Sequence, residues 1–179
     1  MTITPSTNPA LFAREVVSAA LKFSHLPDPP DGEFYRQRAA CFISIKKQGE
    51  LRGCIGTLEP AEPALGQEIT RNAQSAAFGD PRFNAVIEEE LDDLEFSVDV
   101  LSVPEPVQTP DQLDCKLYGV IVSCDYRRGV LLPDLEGVDS TDDQIGIACQ
   151  KAGINSEDEF ALQRFKVSRF DEGWQPESG

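Results

Sequence analysis

Residues Leu51–Leu58 read LRGCIGTL. The stretch before them, Ala39–Lys47 (AACFISIKK), is rich in β-branched and aromatic residues, and Gln48-Gly49 lies between the two. Two apolar runs joined by such a dipeptide predict a β-hairpin with a tight turn. The second strand is unusual, because Gly53 and Gly56 flank Cys54. Glycine weakens a strand and marks a bulge or the close approach of another backbone. The strand is therefore expected to be bent there, or closely approached by a backbone or ligand, with the Cys54 thiol uncrowded between the two glycines.

Working outward, Asn8-Pro9 is suited to cap and start a helix over about residues 9–23, with Leu11, Phe12, Val16, Ala19, Ala20 and Phe23 towards the core. Pro27–Gly32 is a loop by composition. A second helix is predicted over about 63–78, with Leu65, Ile69, Ala73, Ala76 and Ala77 on one face and Gly79 at its end. Glu88–Leu94 reads as a short acidic helix with a solvated face. Glu95–Val103 reads as a strand with Phe96, Val98 and Val100 on one side. Leu117–Cys124 and Gly129–Leu132 are apolar runs that suggest two central strands joined across Asp125–Arg128. Ser140 opens a helix to about Ala152, Gly153 occupies its C-terminal cap, and Phe165–Phe170 is the expected last strand.

The chain has 179 residues, within the roughly 100–200 expected of one domain, so a single domain over 1–179 with an ordered core near 8–172 is predicted. Its net charge is −15, and its 16 Lys and Arg are scattered. Binding to extended nucleic acid, which needs clustered cations, is disfavoured, as is attraction to anionic membranes. No apolar run reaches the roughly 20 residues of a membrane helix, and no charged leader with an apolar stretch is visible. Five cysteines, an odd number without C-x-x-C spacing, read as reduced cytosolic thiols, and a cytoplasmic protein is expected.

His25 is the only histidine, so a His-rich zinc site is ruled out and the cysteine spacing offers no substitute. No phosphate-binding glycine loop or dinucleotide fingerprint is present. No metal or cofactor is expected. On a regular strand Arg52 and Cys54 would share a face, and a guanidinium there favours a thiolate. Cys54 is thus either a candidate nucleophile supported by Arg52 or a small residue packed inward. Asp80-Pro81-Arg82-Phe83 is either a local turn anchored by Phe83, or a loop in which Asp80 meets Arg52 and Arg82 faces an anionic ligand. Asp134 either lines a strand end or caps a turn.

At these residues the chain resembles the AMMECR domain family. LRGCIGTL matches the family signature, and the agreement extends to Gly79–Phe83 (GDPRF), Glu88–Val103, Gly129–Leu135 (GVLLPDL) and Lys151–Ile154 (KAGI). Gly137-Val138-Asp139 and Gln144 are most similar to the bacterial branch, the AmmeMemoRadiSam system protein A type. Residues 84–86, Asn-Ala-Val, depart from the proline the family commonly has before the valine. The resemblance implies an AMMECR-like α+β fold of mostly antiparallel or mixed sheet with flanking helices, and a larger and a smaller subdomain with the signature near a cleft between them. It also implies a link to a Memo-like protein and a radical SAM protein, and it brings no reaction.

Three functions follow as expectations. The first is an accessory interaction component working with those two proteins through a surface of Arg52, Gly53, Cys54, Ile55, Gly56, Thr57, Asp80 and Arg82. The second is an enzyme with Cys54 as nucleophile and Arg52 and Arg82 orienting an anionic substrate. The third is a small-ligand, nucleotide or RNA-binding component of a modification pathway.

Overall fold

The computed structural model describes residues 3–178 and divides into two compact units, Met1–Val100 with Ser168–Gly179, and Leu101–Val167.

In the larger unit, helix α1 (Pro9–Lys22) begins at Asn8, whose side chain accepts the Ala10 N–H at 2.9 Å. Its buried face is Ala10, Phe12, Ala13, Val16, Val17 and Ala19. Leu11 and Phe23, expected in the core, are instead exposed, at 48% and 67%. Alanine and β-branched side chains allow the closer packing, and the buried stripe is rotated towards them. A one-turn helix, α2 (Glu33–Arg36), follows; the turn-rich composition around it hid it.

Strands β1 (Cys41–Lys47) and β2 (Glu50–Gly56) form the expected hairpin. Lys47 pairs with Glu50, so Gln48 and Gly49 alone make the turn, with φ of 52° and 81°. Positive φ at both positions matches the twist of a two-residue hairpin. Helix α3 (Leu65–Phe78) buries Leu65, Ile69, Ala73, Ala76 and Ala77, the stripe read from the sequence. It ends at Gly79 with φ of −122°, so no left-handed cap is used. Strand β3 (Leu94–Leu101) pairs with β1 and buries Phe96, Val98 and Val100.

In the smaller unit, β4 (Glu105–Val107), β5 (Gly119–Cys124), β6 (Arg127–Leu131) and β7 (Ala161–Phe165) form an antiparallel sheet in the order β4-β7-β5-β6. Only β5 has the central place expected of both apolar runs; β6 lies at the edge. Its apolar residues are explained by helix α4 (Thr141–Ala152), which packs on it: a Cβ at Gly129 would stand 2.0 Å from the Ala148 carbonyl oxygen. Ser140 caps α4 by accepting the Asp143 N–H, and Gly153 closes it in the left-handed conformation (φ 69°).

The expected last strand is two strands. β7 joins the sheet of the smaller unit, and β8 (Val167–Asp171) joins the larger unit's sheet in the order β2-β1-β3-β8. Lys166 lies between them. With helices and two mostly antiparallel sheets, the fold is α+β.

Candidate functional site

The signature strand is β2, at the edge of the larger unit's sheet. Alternation along β1 buries Cys41, Ile43 and Ile45 on the face covered by α3, and turns Phe42, Ser44 and Lys46 to the other. Gly53 pairs with fully buried Ile45, and Cys54 pairs with Ser44. Cys54 therefore points away from the helices. Its Sγ lies 3.3 Å from the Ser44 hydroxyl and is half-buried.

Arg52 does not share that face. Ile45 pairs with Gly53 but Lys46 pairs with Leu51, so Arg52 is the extra residue of a β-bulge. The bulge sends its guanidinium to Glu90, where Nε and Nη2 donate to the two carboxylate oxygens at 3.0 and 2.9 Å. The same guanidinium donates to the carbonyls of Asn84 (2.9 Å) and Ala85 (3.5 Å), and Lys47 adds a contact to Glu90 at 3.0 Å. Hydrogen bonds from Arg52 hold the Glu90 carboxyl down to about 2. Glu90 lies in a 3-10 segment, Glu88–Asp93, expected to be solvated, yet its side chain is 14% exposed. Nothing in a run of acids distinguishes Glu90 from Glu88 or Glu89.

Asp80 meets Arg82, not Arg52. The Arg82 guanidinium donates twice to the Asp80 carboxylate, at 3.0 and 2.8 Å. Asp80 also accepts the Cys54 N–H at 3.0 Å and the Arg82 N–H at 3.0 Å, and Arg82 Nη2 donates to the Cys54 carbonyl at 3.2 Å. Both edge-facing backbone groups of Cys54 are thus capped by side chains, where a further strand would otherwise pair. These hydrogen bonds, with Arg82 first, hold the Asp80 carboxyl well below the usual carboxylate range. Asp80 is buried, while the Arg82 side chain is 54% exposed and lies over the Phe83 ring at 5.5 Å.

The glycines meet a close-approach requirement. A Cβ at Gly53 would stand 2.2 Å from the Ala76 carbonyl oxygen of α3, and one at Gly56 would stand 2.3 Å from the Phe42 ring. Ile55 is partly buried against the core opposite Ile43. Thr57 donates from its backbone to Cys41 O at 3.2 Å and shares a short hydrogen bond with the Glu68 carboxylate. Glu68 is fully buried, also accepts the Glu62 N–H at 2.7 Å, and was not singled out from the sequence. A signal existed: Glu68 falls inside the apolar stripe of α3, where a carboxylate requires partners.

The LRGCIGTL and GDPRF segments therefore meet through Cys54, Asp80 and Arg82. His25 lies in the exposed segment after α1, and the side chain that meets the Cys54 thiol is Ser44. Cys41 is fully buried in the core, and that burial pushes its thiol up to about 12. Asp134, exposed with φ of 55°, contacts Lys116 at 3.6 Å in the smaller unit, a turn role. Among the described residues no three His, Cys, Asp or Glu side chains form a metal-ligand set, and no helix is long and apolar enough to cross a membrane.

The chain is similar to several known proteins along most of its length. A Thermotoga maritima protein is 44% identical over 164 residues, covering 89% of this chain and 94% of its own. A Clostridium acetobutylicum protein is 45% identical over 147 residues, covering 82% of this chain, which spans 31% of that longer one. The crystal structure of an uncharacterized Pyrococcus horikoshii protein superposes with a TM-score of 0.81 at 27% identity, over 93% of this chain and 90% of that one. The AMMECR1 family model matches residues 10–172, and the chain belongs to the AMMECR1 family.

Proposed function

We propose that this chain is a non-catalytic binding component that works with a Memo-like protein and a radical SAM protein, and that its partner surface is the β2 edge carrying Cys54 and Arg82. One observation supports this reading above the others. The charged groups that a thiol nucleophile would draw on are already committed to the fold: Arg52 grips Glu90, and Arg82 grips Asp80. The side-chain partner of the Cys54 thiol is the Ser44 hydroxyl, which is not a base able to deprotonate it.

What projects from this edge is suited to recognition. The Arg82 guanidinium is half exposed above Phe83, and Leu51 on the same strand edge is 43% exposed. Arginine near the centre of a surface is a frequent anchor of protein interfaces. Surface plasmon resonance of the purified chain against both candidate partners tests the reading. Binding is expected to weaken at least about tenfold for Arg82→Glu. Absence of association with either partner, alone or mixed, sinks it.

A catalytic alternative rests on the half-buried Cys54 thiol next to an exposed cation. Turnover of an anionic substrate that is abolished by Cys54→Ser and weakened by Arg82→Ala, with the fold intact, would establish that alternative instead.

A further inference from the structure

The open face of the larger unit's sheet carries a cavity of about 490 Å³ over β1, β3 and β8. Its floor includes the hydroxyls of Ser44 and Ser97, which pair across β1 and β3. Two residues along the same strands, Lys46 pairs with Glu95. These opposite charges line the cavity, yet no ion pair within 4 Å joins them to each other or to another described residue. Asp171 on β8 and Glu172 after it add carboxylates to the lining; one Asp171 oxygen accepts the Gly173 N–H at 2.9 Å, and the Glu172 carboxylate is held by the Arg14 guanidinium. Arg169, also at the cavity, is held by Asp99 at 2.7 and 2.8 Å.

We propose that this cavity binds a small zwitterion, a molecule with a carboxylate and an ammonium a few bonds apart, such as an amino acid or short peptide. Lys46 takes the carboxylate, with the serine hydroxyls donating beside it, and Glu95 and Asp171 take the ammonium. The charge pattern selects against simpler ligands. A bare anion satisfies Lys46 but meets Glu95 and Asp171 at close range, and a bare cation meets Lys46. A zwitterion aligned with the Lys46–Glu95 pair gains at both ends. The volume lies within the roughly 300–1,000 Å³ of small-ligand sites. Ser44 also links this floor to the Cys54 thiol, but occupation of the cavity does not depend on the partner proposed above.

Isothermal calorimetry on the full chain tests this, with L-alanine, L-glutamate, glycylglycine, propionate and propylamine as probes. At least one zwitterion is expected to bind, and propionate and propylamine to bind at least about tenfold more weakly, since each uses one end of the site. Lys46→Met and Glu95→Gln, both at exposed positions, are each expected to weaken binding by about tenfold or more. Amide shift perturbations in the unmodified protein should centre on Ser44, Lys46 and Ser97, a readout that needs no variant to fold. Tighter binding of alanine than of glycylglycine identifies a free amino acid, and the reverse order a peptide; either supports the proposal. No heat from any zwitterion, equal binding of propionate or propylamine, or shifts confined to another face would overturn it.

Discussion

Asp80 accepts the backbone N–H of Cys54 at 3.0 Å, while its partner Arg82 donates to the Cys54 carbonyl. A carboxylate and a guanidinium together stand where a neighbouring peptide would. The carboxylate is buried and needs all of its donors. Asp80→Ala should therefore cost about 3 kcal/mol in urea denaturation, because Cys54 N–H and Arg82 lose their acceptor. Asp80→Asn should cost less, since one oxygen remains for the Cys54 N–H. A cost below about 1 kcal/mol for both variants would mean the cap contributes little.

Stability should fall in acid through Glu90. Its folded value, about 2, lies below its ordinary 4.5, so the ionised form is the one the fold stabilises. The contribution is then complete above pH 4.5 and lost as pH falls towards about 2. A loss on the order of 2 kcal/mol across that window is expected for the wild type. Glu90→Gln should be less stable at pH 7 and should show a flatter acid limb. Equal slopes for the two proteins between about pH 5 and 2.5 would remove the assignment.

Glycine substitutions should divide by position. Gly53→Ala places a methyl against the backbone of α3 and should destabilise by about 2 kcal/mol or more. At Gly146, inside α4, an added methyl would meet nothing within 4 Å, and Gly146→Ala should stabilise by roughly 0.5–1 kcal/mol. Thermal melts of the two variants should shift in opposite directions. An unchanged or raised melting temperature for Gly53→Ala would contradict the close approach of α3 to Gly53.

Thiol accessibility should also divide. Cys41, Cys115 and Cys149 are buried, whereas Cys54 and Cys124 are partly exposed. An aromatic disulfide reagent should label Cys54 and Cys124 in the folded protein, and the other three only after denaturant. Mass spectrometry locates the labels. Native labelling of Cys41 at the rate of Cys54 would contradict the packing of β1 beneath α3.

Local signals carried much of the fold. The Gln48-Gly49 turn, the Asn8 and Ser140 caps, the Gly153 terminus and the stripe of α3 each depend on residues within a few positions of one another, and each is where the sequence placed it. Gly53 and Gly56 announced a bend or close approach in β2, and both face atoms that leave no room for a Cβ.

What the sequence by itself determined was thus most of the elements and the segments, LRGCIGTL and GDPRF, that form the candidate site. Tertiary structure alone decided the pairings. The bulge parted Arg52 from Cys54, selected Glu90 from a run of acids, and left Asp80 to Arg82. The fold also divided the segment around Lys166 between two sheets. Helix caps and turns are satisfied by near neighbours in the chain. A buried charge or a strand edge takes its partner from whatever the folded chain brings within hydrogen-bond reach, and periodicity along the sequence holds no record of that distance.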